Sequence, residues 1–158
     1  MPAVPSEVLL LGIATLGVTL AGFAGVVAAF RQNDDWTDIQ AFRLRVLVRN
    51  GLAVMFMALL PLVFSAAFDD DRAAIGAAST SSALWMLLTI VQLQRQWLRI
   101  SSFTAVANLV STSFAWLATA LFVVNAIWLD RAWPYVTALS LILLTAALAF
   151  QRMIGVRR

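Results

Sequence analysis

The chain has 158 residues, of which 62% are hydrophobic and 12% charged, with a mean hydropathy of +0.89 and a formal net charge of +3. Soluble domains are about 45–50% apolar and about 25% charged, so this composition excludes an ordinary soluble domain and points to a protein solvated by lipid. The absence of cysteine and histidine excludes disulfides, thiolate metal sites, haem on a His or Cys ligand, a serine–histidine triad, an HExxH zinc site and a histidine proton relay.

The first apolar run predicts a membrane span over residues 8–30. A helix of that length rises about 34 Å, enough for a hydrocarbon core of about 30 Å. The head Met1-Pro2-Ala3-Val4-Pro5-Ser6-Glu7 has no basic region, and the run is too long for a signal peptide. Steps of three and four place Gly12, Thr15, Thr19, Gly22, Val26 and Ala29 on one stripe, opposite Leu9, Ile13, Leu16, Leu20, Phe23, Val27 and Phe30. Ala21 and Gly25 add a small-xxx-small pair. Small faces let helices approach closely. The stripe therefore suits packing inside one subunit or, alternatively, the lining of a pore in an oligomer. Glu7 is either a first-turn acid favoured by the helix dipole or one member of a cation-selecting carboxylate ring.

Residues 31–45 form a charged loop in which Asn33, Asp34 and Asp35 can cap a helix. Trp36, Ile39, Phe42 and Val46 recur at helical spacing, predicting an amphipathic cytoplasmic lead-in to the next span. Span two is expected over residues 46–68, with Pro61 depriving the Met57 carbonyl of its helical donor. Asp69-Asp70-Asp71 then serves either as a capping turn or as a shallow external entrance that gathers cations, although it lacks the spacing of a calcium loop.

Span three, residues 73–93, opens with Gly76, Ser79, Thr80, Ser81, Ser82 and Ala83, a small face suited to close packing. Residues 103–150 hold charge only at Asp130 and Arg131. Two crossings, 103–129 and 134–150, fit this stretch best, with one crossing and a re-entrant loop as the competitor. Asn108, Ser111, Thr112, Ala115, Thr119 and Asn125 make the first of the two the most polar span. Its asparagines should face another helix or water, either as interhelical hydrogen bonds or as the lining of a hydrated path. Pro134 fits the first turn of the last helix.

All eleven basic residues are arginine. A coding bias toward arginine accounts for this, and bidentate phosphate binding is the functional alternative. Arg31, Arg43, Arg45, Arg49, Arg95, Arg99, Arg152, Arg157 and Arg158 fall on one side of a five-span topology, against Arg72 and Arg131 on the other. The positive-inside rule then puts the N-terminus outside and the C-terminus in the cytoplasm. Arg31, Arg43, Arg45, Arg95 and Arg99 serve as topology determinants or as ligands for anionic headgroups. Trp36 and Trp97 belong to the inner aromatic belt, and Trp128, Trp133 and Tyr135 to the outer one. Trp85 and Trp116, near mid-span, call for a hydrogen-bond partner on a neighbouring helix.

Ala21-Gly22-Phe23-Ala24-Gly25 leading to Arg31, then Phe42-Arg43-Leu44-Arg45 and Leu59-Leu60-Pro61, resemble a group of uncharacterised small bacterial multi-span membrane proteins. The likeness covers residues 1–65 and implies a bacterial membrane context, with no activity attached.

Together these features predict an all-α, polytopic bundle of five transmembrane helices in one domain, set in the bacterial cytoplasmic membrane. The leading functional expectation is a homo-oligomeric, channel-like protein passing cations or small solutes, with Glu7, Gly12, Thr15, Thr19, Gly22, Asn108, Thr112, Thr119 and Asn125 along its path. Asp69, Asp70 and Asp71 would stand at the outer entrance. The alternatives are a non-conducting scaffold or regulatory subunit for a protein partner and, last, a lipid-acting enzyme built on Asp34, Asp35, Asp38 and Arg43. No catalytic residue, metal ligand or cofactor is assigned. Membrane lipids are expected partners. Nucleic acid is not, because the arginines are split among loops pressed against the bilayer.

Overall fold

A computed structural model describes residues 6–30, 38–97 and 105–154. Within them the chain forms α1 (Glu7–Phe30), α2 (Asp38–Ala67), α3 (Asp71–Trp97), α4 (Ala105–Val124), a π-helical turn (Asn125–Leu129) and α5 (Ala132–Ile154), with no strand among the described residues. Five helices are long and apolar enough to cross a membrane. Their length is what the bilayer requires, and a helix satisfies its own backbone hydrogen bonds where no water can.

Residues 38–45 of the lead-in to span two are the start of α2, and residues 31–37 lie outside the described residues. From Asp38 the chain runs straight into α2, which continues through Pro61 to Ala67. Residues 105–150 form two crossings, α4 and α5, joined by the π-turn and a bend at Asp130 and Arg131 rather than by a re-entrant loop.

Helices α2, α3, α4 and α5 close a ring in which each packs on the next. α1 lies outside this ring, mainly against α2 and more lightly against α5. The core inside the ring is built from Val54, Met57, Ile75, Met86, Phe122, Tyr135, Leu139 and Ile142. A smaller cluster of Ala24, Leu47 and Ala146 ties α1 to α2 and α5.

Two glycines set the α1–α2 crossing. A Cβ on Gly17 would stand 2.5 Å from the Gly51 carbonyl oxygen, and one on Gly51 would stand 2.6 Å from that of Gly17. The two backbones touch here, an approach that only glycine permits.

The helices alternate in direction, so charge separates along the bundle. Glu7, Asp69, Asp70, Asp71, Arg72, Asp130 and Arg131 gather at one end, and Arg43, Arg45, Arg49 and Arg95 lie toward the other. We call these the acidic and basic ends.

Candidate functional site

Three groups of described polar side chains bear on a site: a buried network toward the acidic end, the outward face of α1, and the basic end of the α2–α3 contact.

The network begins with Pro61. A proline has no N–H, so the Met57 carbonyl one turn earlier loses its helical donor. The Tyr135 hydroxyl fills the gap, donating to the Met57 carbonyl oxygen at 2.6 Å. Tyr135 has a single proton to give. The 3.0 Å contact between its oxygen and Ser82 Oγ is therefore donated by Ser82. Phe122 packs edge-on against the tyrosine ring at 5.1 Å between centroids.

One turn along α3, Ser79 Oγ accepts a 2.9 Å bond from Asn125 Nδ2. The other half of the Asn125 amide accepts from the Arg131 backbone N–H at 3.0 Å. Asn125 opens the π-turn, whose wider loop is closed by the Asp130 N–H bonding to the Asn125 carbonyl at 3.0 Å. Asp130 itself takes a left-handed conformation, φ 45, which aspartate tolerates better than bulkier residues do. A Cβ on Gly76 would come within 3.1 Å of Asp130 Oδ1, so the glycine leaves room for this bend. Tyr135, Ser82, Ser79 and Asn125 are all fully buried. In a medium without water such groups must pair with one another, and these do.

This arrangement corrects two sequence-based expectations. Tyr135 does not join the outer aromatic belt but stands in the core, held there by a carbonyl 78 residues away. Trp85 and Trp116, expected to seek partners inside the bundle, are 51% and 46% exposed and have no hydrogen-bond partner among the described residues. Their largely apolar rings face outward, where lipid accommodates them. Trp128 and Trp133 are exposed beside the α4–α5 bend.

Span four is also redistributed. Asn125 and Thr119 point into the bundle, Thr119 bonding its own helix at Ala115. Thr112 is partly exposed. The side chain of Asn108 lies outside the described residues.

The stripe on α1 faces away from the subunit. Gly12, Thr15, Thr19 and Gly22 are exposed, opposite the packed positions Leu10, Ile13, Ala14, Gly17 and Ala24. A Cβ on Gly12, Gly22 or Gly25 would meet nothing within 4 Å. The stripe therefore does not pack inside the subunit, because the Gly17–Gly51 contact fixes the other face of α1 against α2. Leu16 and Phe23 wall the stripe on one side, Leu11 and Val18 on the other, and all four are exposed. Both threonine hydroxyls turn back on the helix, Thr15 to the Leu11 carbonyl and Thr19 to the Thr15 carbonyl, each at 2.8 Å. Ala21, the first member of the small-xxx-small pair, lies in the α1–α2 contact, whereas Gly25 is open. Glu7 is an exposed first-turn acid of α1.

The acidic triplet is a helix start. Asp70 Oδ1 accepts from the Arg72 N–H at 3.0 Å, its carbonyl accepts from Ala74, and Asp71 sits in the first turn of α3. Asp69 is exposed beside it. Among the described residues no cluster of three acids is placed to hold a metal ion.

At the basic end, Arg49 Nη2 donates to Thr89 Oγ1 at 3.0 Å and to Gln92 Oε1 at 2.8 Å, joining α2 to α3. Arg45 and Arg95 are exposed nearby in sequence, and Arg43 is partly buried. Asn50, 7% exposed, makes no side-chain hydrogen bond among the described residues. Arg31, Arg99, Asp34 and Asp35 lie outside the described residues.

In the sequence Pro61 marks the unpaired Met57 carbonyl but not its partner, and nothing local separates Arg49 from the loop arginines. Gly17 and Gly51 belong to no repeating stripe and carry no local signal of their contact. The chain matches no family model, and no curated protein or solved structure is significantly similar to it.

Proposed function

We propose that this protein is a non-conducting integral membrane subunit that assembles in the bilayer through the outward face of α1, pairing that face with the same face of a second copy. The supporting observation is the open, small-residue groove of Gly12, Thr15, Thr19 and Gly22 between the walls of Leu11, Val18, Leu16 and Phe23. In lipid, helices associate where small residues let backbones approach, since burying apolar surface against another helix gains little over burying it in acyl chains. A groove with raised edges is self-complementary, which a two-fold pairing requires. We place the assembly in the bacterial cytoplasmic membrane, as the resemblance of residues 1–65 implies, with the N-terminus outside, following the arginine asymmetry.

A conducting assembly is the second reading, and Glu7, exposed in the first turn of the same helix at the acidic end, is the observation that favours it. Thr15 and Thr19 give their hydroxyl protons to their own helix and leave only two oxygen acceptors among glycine and apolar side chains, a sparse lining that weighs against a hydrated path.

Native mass spectrometry from a mild detergent tests the reading. We expect a dimer for the natural chain and a monomer for Gly22→Ile, with no single-channel conductance from either. A monomeric natural chain would refute the assembly, and steady conductance would favour the channel.

A further inference from the structure

We propose that the basic end of the α2–α3 groove binds the phosphate of an anionic phospholipid headgroup, with Arg49 as the inner ligand and Arg45 and Arg95 at the mouth.

The depth of Arg49 comes first. The α2–α3 turn marks one end of both helices. About 20 residues at 1.5 Å rise cross a hydrocarbon core of about 30 Å. Counted from that turn, the far edge of the core falls near residue 48 on α2 and near residue 91 on α3. Arg49 and Gln92 therefore sit at the hydrocarbon edge. Arg45, one turn beyond Arg49 on the same side of α2, and Arg95, one turn beyond Gln92 on α3, lie at headgroup level. Both are exposed.

The charge balance comes next. Thr89 and Gln92, the two groups that hold the Arg49 guanidinium, are neutral. Both bonds leave from Nη2, so the donors on Nε and Nη1 have no partner among the described residues. Glu7, Asp69, Asp70, Asp71 and Asp130 all lie at the opposite end of the bundle. Asp38 opens α2 about three turns away from Arg49. No described carboxylate pairs with the cation. A charge with no carboxylate partner among the described residues calls for a counter-ion at the membrane edge, and lipid phosphate is an anion present at that level.

The hydrogen bonds to Thr89 and Gln92 also bear on the choice of ligand. An arginine acting only as a topology signal can extend freely into water. Arg49 is instead pinned from the neighbouring helix, which fixes the plane of its guanidinium. A fixed guanidinium suits bidentate capture of phosphate oxygens. This inference rests on the membrane setting of the helices but not on the assembly through α1.

The experiment purifies the full chain from vesicles of equal phosphatidylglycerol and phosphatidylcholine, and native mass spectrometry then measures the retained lipids. The natural chain should retain phosphatidylglycerol in excess, by roughly fivefold for each arginine engaged. Arg49→Gln should bring the ratio close to that of the bulk, while Arg131→Gln at the acidic end leaves it unchanged. Equal retention of both lipids by the natural chain, or an unaltered excess in Arg49→Gln, would overturn the proposal. Should Arg49→Gln fail to fold, Arg45→Gln and Arg95→Gln take its place. Neither side chain is buried, and each should lower the excess. An excess untouched by both would refute the site. A thermal-shift arm in neutral detergent separates the two sources of phosphate. Stabilisation by phosphatidylglycerol and not by inorganic phosphate supports the lipid, and equal stabilisation by inorganic phosphate would overturn the assignment.

Discussion

The Tyr135 hydroxyl donates to the Met57 carbonyl at 2.6 Å, replacing the backbone donor that Pro61 removes from α2. A break in one helix thus becomes the anchor for another. Ser82 completes the junction from α3, so three helices of the ring meet at one phenol.

Removing that hydroxyl should be felt at both neighbours. Tyr135→Phe leaves the Met57 carbonyl and the Ser82 hydroxyl unpaired in a dry interior. We expect a loss of about 1–2 kcal/mol in stability, on the scale of buried hydrogen bonds and interhelical bonds in membranes. Thermal or denaturant unfolding in detergent measures it.

The cause can be isolated with Pro61. Pro61→Ala restores an N–H to the Met57 carbonyl, so the tyrosine is needed less. Tyr135→Phe should cost less in the Pro61→Ala background than in the natural chain, with a coupling of about 1 kcal/mol in a double-mutant cycle. Equal costs in both backgrounds would show that the tyrosine does not compensate for the proline.

The glycines divide into two classes. Gly51→Ala forces a Cβ to 2.6 Å from a backbone oxygen, so α1 and α2 must separate. The expected cost is about 1–3 kcal/mol, as for other overpacked contacts. Gly12→Ala and Gly22→Ala place their methyl groups in open space and should leave subunit stability within about 1 kcal/mol of the natural chain. Parallel unfolding curves for the three variants decide the matter, and equal losses at all three positions would refute the assigned faces.

Asn50 offers the reverse prediction. Its amide is buried without a described partner, so Asn50→Leu removes a desolvated polar group and keeps the volume. The variant should be unchanged or more stable by about 1 kcal/mol. Marked destabilisation in the same unfolding assay would mean that the amide has a partner that holds the fold.

The spans were legible because helix length is tied to bilayer thickness, and the apolar runs ending near Phe30, Phe68 and Leu129 state that length directly. The network was legible only in part. Pro61 announces an unpaired carbonyl, but nothing local says that Tyr135 will reach it, and a tyrosine two residues after Trp133 has the sequence setting of an interfacial residue. The α1 stripe was legible as a stripe, whereas its direction was not. Direction depends on the close approach of Gly17 to Gly51 and on the cluster of Ala24 with Leu47 and Ala146, which periodicity does not single out. The contacts of Arg49 were hidden for a related reason, because they depend on Thr89 and Gln92 across the helix pair.

Cysteine cross-linking tests the assembly through α1 most directly, since the natural chain has no cysteine and each introduced one is unique. Gly12→Cys, Thr15→Cys, Thr19→Cys and Gly22→Cys are compared, in native membranes under oxidation, with Leu88→Cys on α3. A disulfide requires Cα atoms within about 7 Å. Covalent dimers at positions along the α1 groove, and none at Leu88, are what the paired-subunit account predicts. Dimers formed equally at every position, or only at Leu88, would contradict it.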